Sequence, residues 1–206
     1  MNTANLIETC YNAAKEKGFW DTERNMPEAF ALIISGLYEA FEAHRKGRFA
    51  ELQVYLGVIK DRNDLIQERN FALNENRENL DFFVPDFEVY IKDTLEDELA
   101  DVLIRIFDFC GGYVSQKDFD FLNNHLQLDL GFKNITNIGE KVLRITYIST
   151  VAYYNISVFS ALQKIYNNVM YMCQELNIDI ETHINLKLAY NAMLCGSRKD
   201  SKKVIQ

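Results

Sequence analysis

The chain is expected to fold as a single all-α domain, and three features point that way. Only two prolines (Pro27 and Pro85) and nine glycines interrupt its 206 residues. Apolar residues recur through long stretches at three- and four-residue spacing, the period of one helix face. With 48% hydrophobic residues the chain can enclose a substantial core, yet its length is short for two domains, so one domain over 1–206 is expected.

The first helix is expected over about Thr3 to Lys17, ending at Gly18, which can take the left-handed conformation past a helix C-terminus. The second runs from about Pro27, suited to a first turn, to Lys46, and stops at Gly47. Arg48 to Asn79 reads as a charged, weakly amphipathic helix ending in the polar run Asn74 to Asn79, and Pro85 then marks a turn. A strong helix follows from about Lys92 to Cys110, its first turns acidic with Asp93, Glu96, Asp97 and Glu98, where negative charge favours the helix dipole. Gly111 and Gly112 are expected to end it. The last large block, Asn137 to Gln174, is rich in β-branched and aromatic residues, among them Ile145, Tyr147, Ile148, Val151, Tyr153 and Tyr154, which read as core packing. Asn25-Met-Pro-Glu28 and Asn137-Ile-Gly-Glu140 echo one another as two similar helix starts. The echo carries no second acid site, since Val151 falls where the first copy has Glu39.

Charge and composition narrow the function. A net charge of -8 and a pI near 5.0 argue against a nucleic-acid partner, because affinity for a phosphate backbone rests on clustered Lys and Arg. The longest apolar stretches, Ala29–Leu37 and Ile145–Ala161, are broken by polar residues, and the N-terminus lacks the basic flank and apolar run of a signal peptide. A cytoplasmic chain with no membrane partner is expected. Cys10, Cys110, Cys173 and Cys195 are scattered without a CxxC pair and read as buried reduced thiols.

Two segments concentrate carboxylates, Glu39-Ala-Phe-Glu42 and Glu98-Leu-Ala-Asp101. Residues three apart share a helix face, so each segment presents two acids in one direction. Apolar neighbours (Leu37, Ala40, Phe41; Leu99, Ala100, Val102, Leu103) put them at the edge of a packing face, where carboxylates repel one another unless a cation compensates. Oxygen-only donors suit Mg²⁺ or Mn²⁺. Such pairs are also common on solvated helix faces.

The stretch Gly18-Phe-Trp-Asp21, then Asn25, then Ala31 to Gly47 resembles the first motif of the MazG-like all-α nucleotide pyrophosphohydrolases, particularly their phage and bacterial short forms. Lys92 to Phe109 resembles the second motif, and His183 to Asn191 the C-terminal segment that closes over the nucleotide. Together these cover about a third of the chain, in the family's order. The resemblance implies a helical bundle that hydrolyses a nucleoside triphosphate to the monophosphate and pyrophosphate, using Mg²⁺ (or Mn²⁺) held by helix carboxylates. It assigns Glu39, Glu98 and Asp101 as metal ligands, with Glu39 and Glu42 as catalytic acids. Lys187 and Asn191 would contact phosphate or sugar, while Tyr190, Trp20 and Asn25 complete the substrate-binding set. It also implies a homodimer or a dimer of dimers.

Several features depart from the family pattern. Gly36 stands where an acid usually precedes Glu39 by three residues, so Glu42 is the expected replacement ligand, and Gly36→Glu is expected to tighten Mg²⁺ binding. An inserted segment spans about 48–89, and an atypical helical block about 112–182. Ala192 to Ser197 replaces an Arg-Pro-Tyr step, and Arg198, Lys199, Lys202 and Lys203 form a basic tail. These departures leave open the alternative of a catalytically impaired nucleotide-binding or regulatory homologue.

Overall fold

The structure, a computed structural model, describes residues 1–73, 83–113 and 132–203. Among them are eight α-helices and no strand: α1 (Thr3–Glu16), α2 (Met26–Arg45), α3 (Leu52–Leu73), α4 (Phe83–Tyr90), α5 (Leu95–Tyr113), α6 (Ile138–Asn155), α7 (Val158–Glu175) and α8 (Ile180–Lys203). The polar run Asn74–Asn79 lies outside the described residues, as do the side chains of Cys195 and of the basic tail.

Helix boundaries follow from local chemistry. The side chains of Asn2, Asn25, Asn137 and Ser157 each accept a hydrogen bond from the backbone N–H three residues on, satisfying a donor that the first turn leaves unpaired. The two Asn-led echoes are therefore helix caps. Gly18 (φ +80°) and Gly47 (φ +69°) stand just past the ends of α1 and α2 in the left-handed conformation.

Three boundaries differ from expectation. Pro85 does not mark a turn but sits in the first turn of α4, where its missing N–H costs nothing. The strong helix begins at Leu95 rather than Lys92, because Asp93 turns left-handed (φ +58°) and leaves the helix. At its far end it passes through Gly111 and Gly112 to Tyr113: a side chain at Gly111 would collide with Tyr11 of α1, and one at Gly112 with the Trp20 ring. Those glycines permit close approach; they do not terminate the helix. The late block is likewise two helices, broken at Ile156 and restarted by the Ser157 cap.

α5 is the central element. It packs against α1, α2 and α8, with α6 against α7 and α2. The main core joins Leu37 and Ala40 of α2, Leu99, Leu103 and Phe107 of α5, and Ile145, Leu162 and Ile165 of the late pair. A second, smaller core gathers Tyr55, Phe87, Ile91 and Tyr190, so α3 and α4 are pinned to α8. Backbone bonds from Glu51 N to Tyr90 O and from Leu95 N to Arg48 O join the two ends of this α3–α4 segment.

Cys10, Cys110 and Cys173 are buried and free, as expected. The aromatics of α6 were expected in the core and only some are there. Ile145 is buried and Tyr153 packs on Phe30, but Tyr147 and Tyr154 are 64% and 79% exposed and Val151 is exposed too. An α-helix packed from one side leaves its opposite face out, whatever residues it carries. No helix among the described residues is long and apolar enough to cross a membrane.

Candidate functional site

The carboxylates that matter lie where α2 crosses α5. Small and branched residues (Ala40, Leu99, Val102) form the contact below, and the acids rim it. Glu39 from α2 and Glu98 and Asp101 from α5 bring one oxygen each to within 4.8 Å of one another. Burial pushes the Glu98 carboxyl up to about 7, and repulsion from Asp97, Asp101 and Glu39 adds to it, with only Lys187 opposing. Three oxygen donors crowd the edge of low-dielectric packing, where the Arg105 guanidinium lies 2.6 Å from Asp101 and 3.8 Å from Glu39, and oxygen-only donors of this kind are those a hard divalent cation takes. The donor set therefore fits Mg²⁺ or Mn²⁺.

Glu42 does not join this triad. Arg45 and Lys46, one turn further along α2, bind its carboxylate at 2.7 and 2.9 Å and hold it down to about pKa 2. It lines the same groove as Glu39 and Glu98, with its charge already matched.

Gly36 is buried rather than facing open space. A Cβ there would lie 2.8 Å from Val102 Cγ2 and 3.4 Å from Arg105 Nη1. The Arg105 guanidinium stands over it, 2.6 Å from Asp101 and 3.8 Å from Glu39. The expectation for Gly36→Glu therefore changes: a carboxylate there must first displace Val102 and Arg105.

Lys187 and Asn191, adjacent turns of α8, part company. Lys187 Nζ lies 2.6 Å from Asp97 Oδ2, with Asp97 fully buried and the lysine 13% exposed. Burial pushes the Asp97 carboxyl up, while the same closeness, reinforced by Asp101 and Glu98, overcomes burial and holds Lys187 protonated. At this distance, shut away from water, the two form an ion pair. Asp97 Oδ2 also accepts from the backbone N–H of Asp93, securing the left-handed turn before α5. Asn191 instead lines a cavity of about 400 Å³ between α1, α2, α5 and α8. Asp101 and Arg105 line it too, so it opens beside the triad. Its walls are mostly apolar (Leu32, Ile33, Ile104, Leu188), with Arg24 and Asp108 among its polar groups.

The three weaker substrate candidates have structural positions. Trp20 packs edge-on against Tyr11 and Tyr113 and donates its indole N–H to Asp108 at 2.7 Å. Tyr190 is buried, stacked on Phe87, with its hydroxyl 2.7 Å from Glu88. Asn25 caps α2. Each is engaged elsewhere than in the groove beside the triad.

Sequence reading passed over Arg105, Asp97 and Asp108. Asp108 binds Arg24 at 2.5 Å as well as Trp20, closing the cavity's far wall. A signal existed: Asp101, Arg105 and Asp108 follow at four and three residues and so share a face of α5 with the acids.

No family model, curated protein or solved structure matches the chain.

Proposed function

We propose that the chain hydrolyses a nucleoside triphosphate to the monophosphate and pyrophosphate in a reaction dependent on Mg²⁺ or Mn²⁺. The observation that carries this reading is the convergence of Glu39, Glu98 and Asp101 from two helices, with Asp101 also lining a cavity large enough for a nucleoside. The motif resemblance points the same way. A bound cation would neutralise phosphate charge that an acidic protein otherwise repels. In the reaction, a water oxygen bonds to the α-phosphorus and the α–β bridging P–O bond breaks. Pyrophosphate leaves with the bonding electron pair, and the water's proton passes to a carboxylate, for which we assign Glu39, the exposed member of the triad. Asn191 and the apolar walls would orient the nucleoside.

The test is pyrophosphate release from a panel of ribo- and deoxynucleoside triphosphates with Mg²⁺ or Mn²⁺. Glu39→Ala and Asp101→Ala should abolish it. No release from any member, with folded protein, removes the reading.

A second reading, a nucleotide-binding or regulatory protein without turnover, is favoured by one observation: Arg105 covers Gly36, where the family pattern has an acid. It expects calorimetric binding of a nucleotide with no product.

Self-association, as a homodimer or a dimer of dimers, belongs to the same proposal. Leu143, Tyr147, Val151 and Tyr154 make an exposed apolar stripe along α6, a feature that isolated domains seldom leave to solvent. Tyr147→Glu with Val151→Glu should lower the mass measured by light scattering, and an unchanged mass excludes this face.

A further inference from the structure

Arg105 leaves α5 one turn after Asp101 and crosses to α2. Its Nη1 donates to the backbone carbonyl of Leu32 at 2.5 Å and lies 3.5 Å from Ser35 Oγ, while Nη2 meets Asp101 at 2.6 Å. Leu32 lies in the interior of α2, where a carbonyl ordinarily serves the amide four residues on, here Gly36. The guanidinium lies beside Gly36, where a Cβ would reach ordinary contact with Nη1 at 3.4 Å while crowding Val102 Cγ2 at 2.8 Å, so a side chain as long as a carboxylate's would compete with the guanidinium for this space. The place of the missing carboxylate thus holds a cation.

That cation touches two of the three triad acids and also lines the cavity, so it stands between the groups that would take a metal and the space that would take a nucleotide. Lys187, sealed against Asp97, is not so placed. A guanidinium has five N–H donors, more than the contacts to Leu32, Ser35 and Asp101 use, and its planar fork matches phosphate oxygens. At 31% exposed, its bond to Asp101 competes with water and is readily exchanged.

We propose that Arg105 is a resident counter-cation of the triad that becomes the site's phosphate contact: it holds Glu39 and Asp101 together in the absence of a divalent ion and turns to a phosphate oxygen when cation and phosphate arrive together. This rests on reading the triad as a cation site. It deepens that reading by assigning the phosphate-binding role to Arg105 in place of Lys187.

Removing the guanidinium should move two affinities in opposite directions, which a merely structural residue would not do. In Arg105→Gln, Mn²⁺ alone, titrated by electron paramagnetic resonance, should bind several-fold more tightly because its internal competitor is gone. Inorganic pyrophosphate with Mg²⁺, titrated by calorimetry, should bind about ten-fold or more weakly, as expected for loss of a charged hydrogen-bond donor. Arg105→Lys, which keeps the charge and loses the fork, should leave Mn²⁺ affinity near the parent's and still weaken pyrophosphate; it serves alone should Arg105→Gln not fold. Pyrophosphate affinity unchanged in either variant, or both affinities falling together in Arg105→Gln, overturns the proposal. A parent that binds no Mn²⁺ overturns it together with the cation-site reading. Opposite shifts in a protein that releases no pyrophosphate from any triphosphate uphold the role of Arg105 and refute only the hydrolase.

Discussion

Lys187 and Asp97 meet where water is excluded, whereas Arg105 and Asp101, one turn further along α5, meet at the edge of an open groove. Both contacts are 2.6 Å long and both acids lie on α5, although Lys187 reaches its partner from α8. Burial separates them. A charge sealed in the packing depends on its partner, since removing either leaves the other stranded in low dielectric. A charge at the groove can exchange its partner for water or a ligand at little expense. Distance alone, then, does not tell a structural pair from a functional one.

The comparison breaks most sharply at Lys187. Lys187→Met should cost roughly 3–5 kcal/mol in urea denaturation, because the buried Asp97 carboxylate loses its counter-ion. A loss below about 1 kcal/mol would mean that water reaches Asp97 and that the two pairs do not differ in kind.

Acid titration separates the two sides next. His183, one turn before Lys187 on α8, is buried, and burial lowers its pKa to about 4 from 6.5. The unfolded chain therefore binds the proton first as pH falls, so stability from neutral His183 is complete above 6.5 and is lost between 6.5 and 4. Glu98, on the groove side, has the opposite sign. Its pKa rises from 4.5 to about 7, so its contribution is fullest below 4.5 and is lost as pH rises through 7. Each is worth at most about 3 kcal/mol, and over the shared window they oppose one another. The parent's profile will partly conceal both, so each must be read as parent minus variant. The His183→Leu difference should shrink on acidification and the Glu98→Gln difference should move the other way. Two differences of the same sign would contradict the division into sealed and open sides.

The smallest expected effect is the stability change in Arg105→Gln, less than about 1 kcal/mol by thermal melting, as for other partly exposed pairs. A larger loss would make the Leu32 contact a structural strap.

The all-α class and most helix starts were legible because their causes are local. Asn25 and Asn137 cap within three residues, and Gly18 and Gly47 turn where a side chain would be strained. Three-residue spacing put Glu39 with Glu42 and Glu98 with Asp101 on shared faces, and the family resemblance is what picked out Glu39, Glu98 and Asp101 among them. Spacing could not show that Arg45 and Lys46 would take Glu42, since possible ion pairs along a charged helix outnumber those formed. Gly111 and Gly112 look like a helix end in sequence and act as a helix contact in space, because the neighbours that decide it, Tyr11 and Trp20, are far away along the chain. Lys187 and Tyr190 lie on α8, a helix the sequence reading did not place, and periodicity does not say which neighbour each residue will face. Arg105 drew no notice for the same reason: its role depends on contacts with Leu32 and Ser35 on another helix.

The two backbone bonds at the base of the α3–α4 segment bear on how freely that segment can change. Arg48 and Leu95, and Glu51 and Tyr90, stand side by side, so the chain leaves the bundle and returns to it at a single point. A segment so attached can lengthen, shorten or be exchanged while α2 and α5 keep their crossing, because loop-closure entropy grows only slowly with length. It is held to the rest by the Phe87–Tyr190 stack with the small core around it, by the Tyr190 hydroxyl donating to Glu88, and by the Ala50 N–H donating to Glu96. A change in its length should therefore be absorbed at these few contacts and leave the acids at the α2–α5 crossing in place.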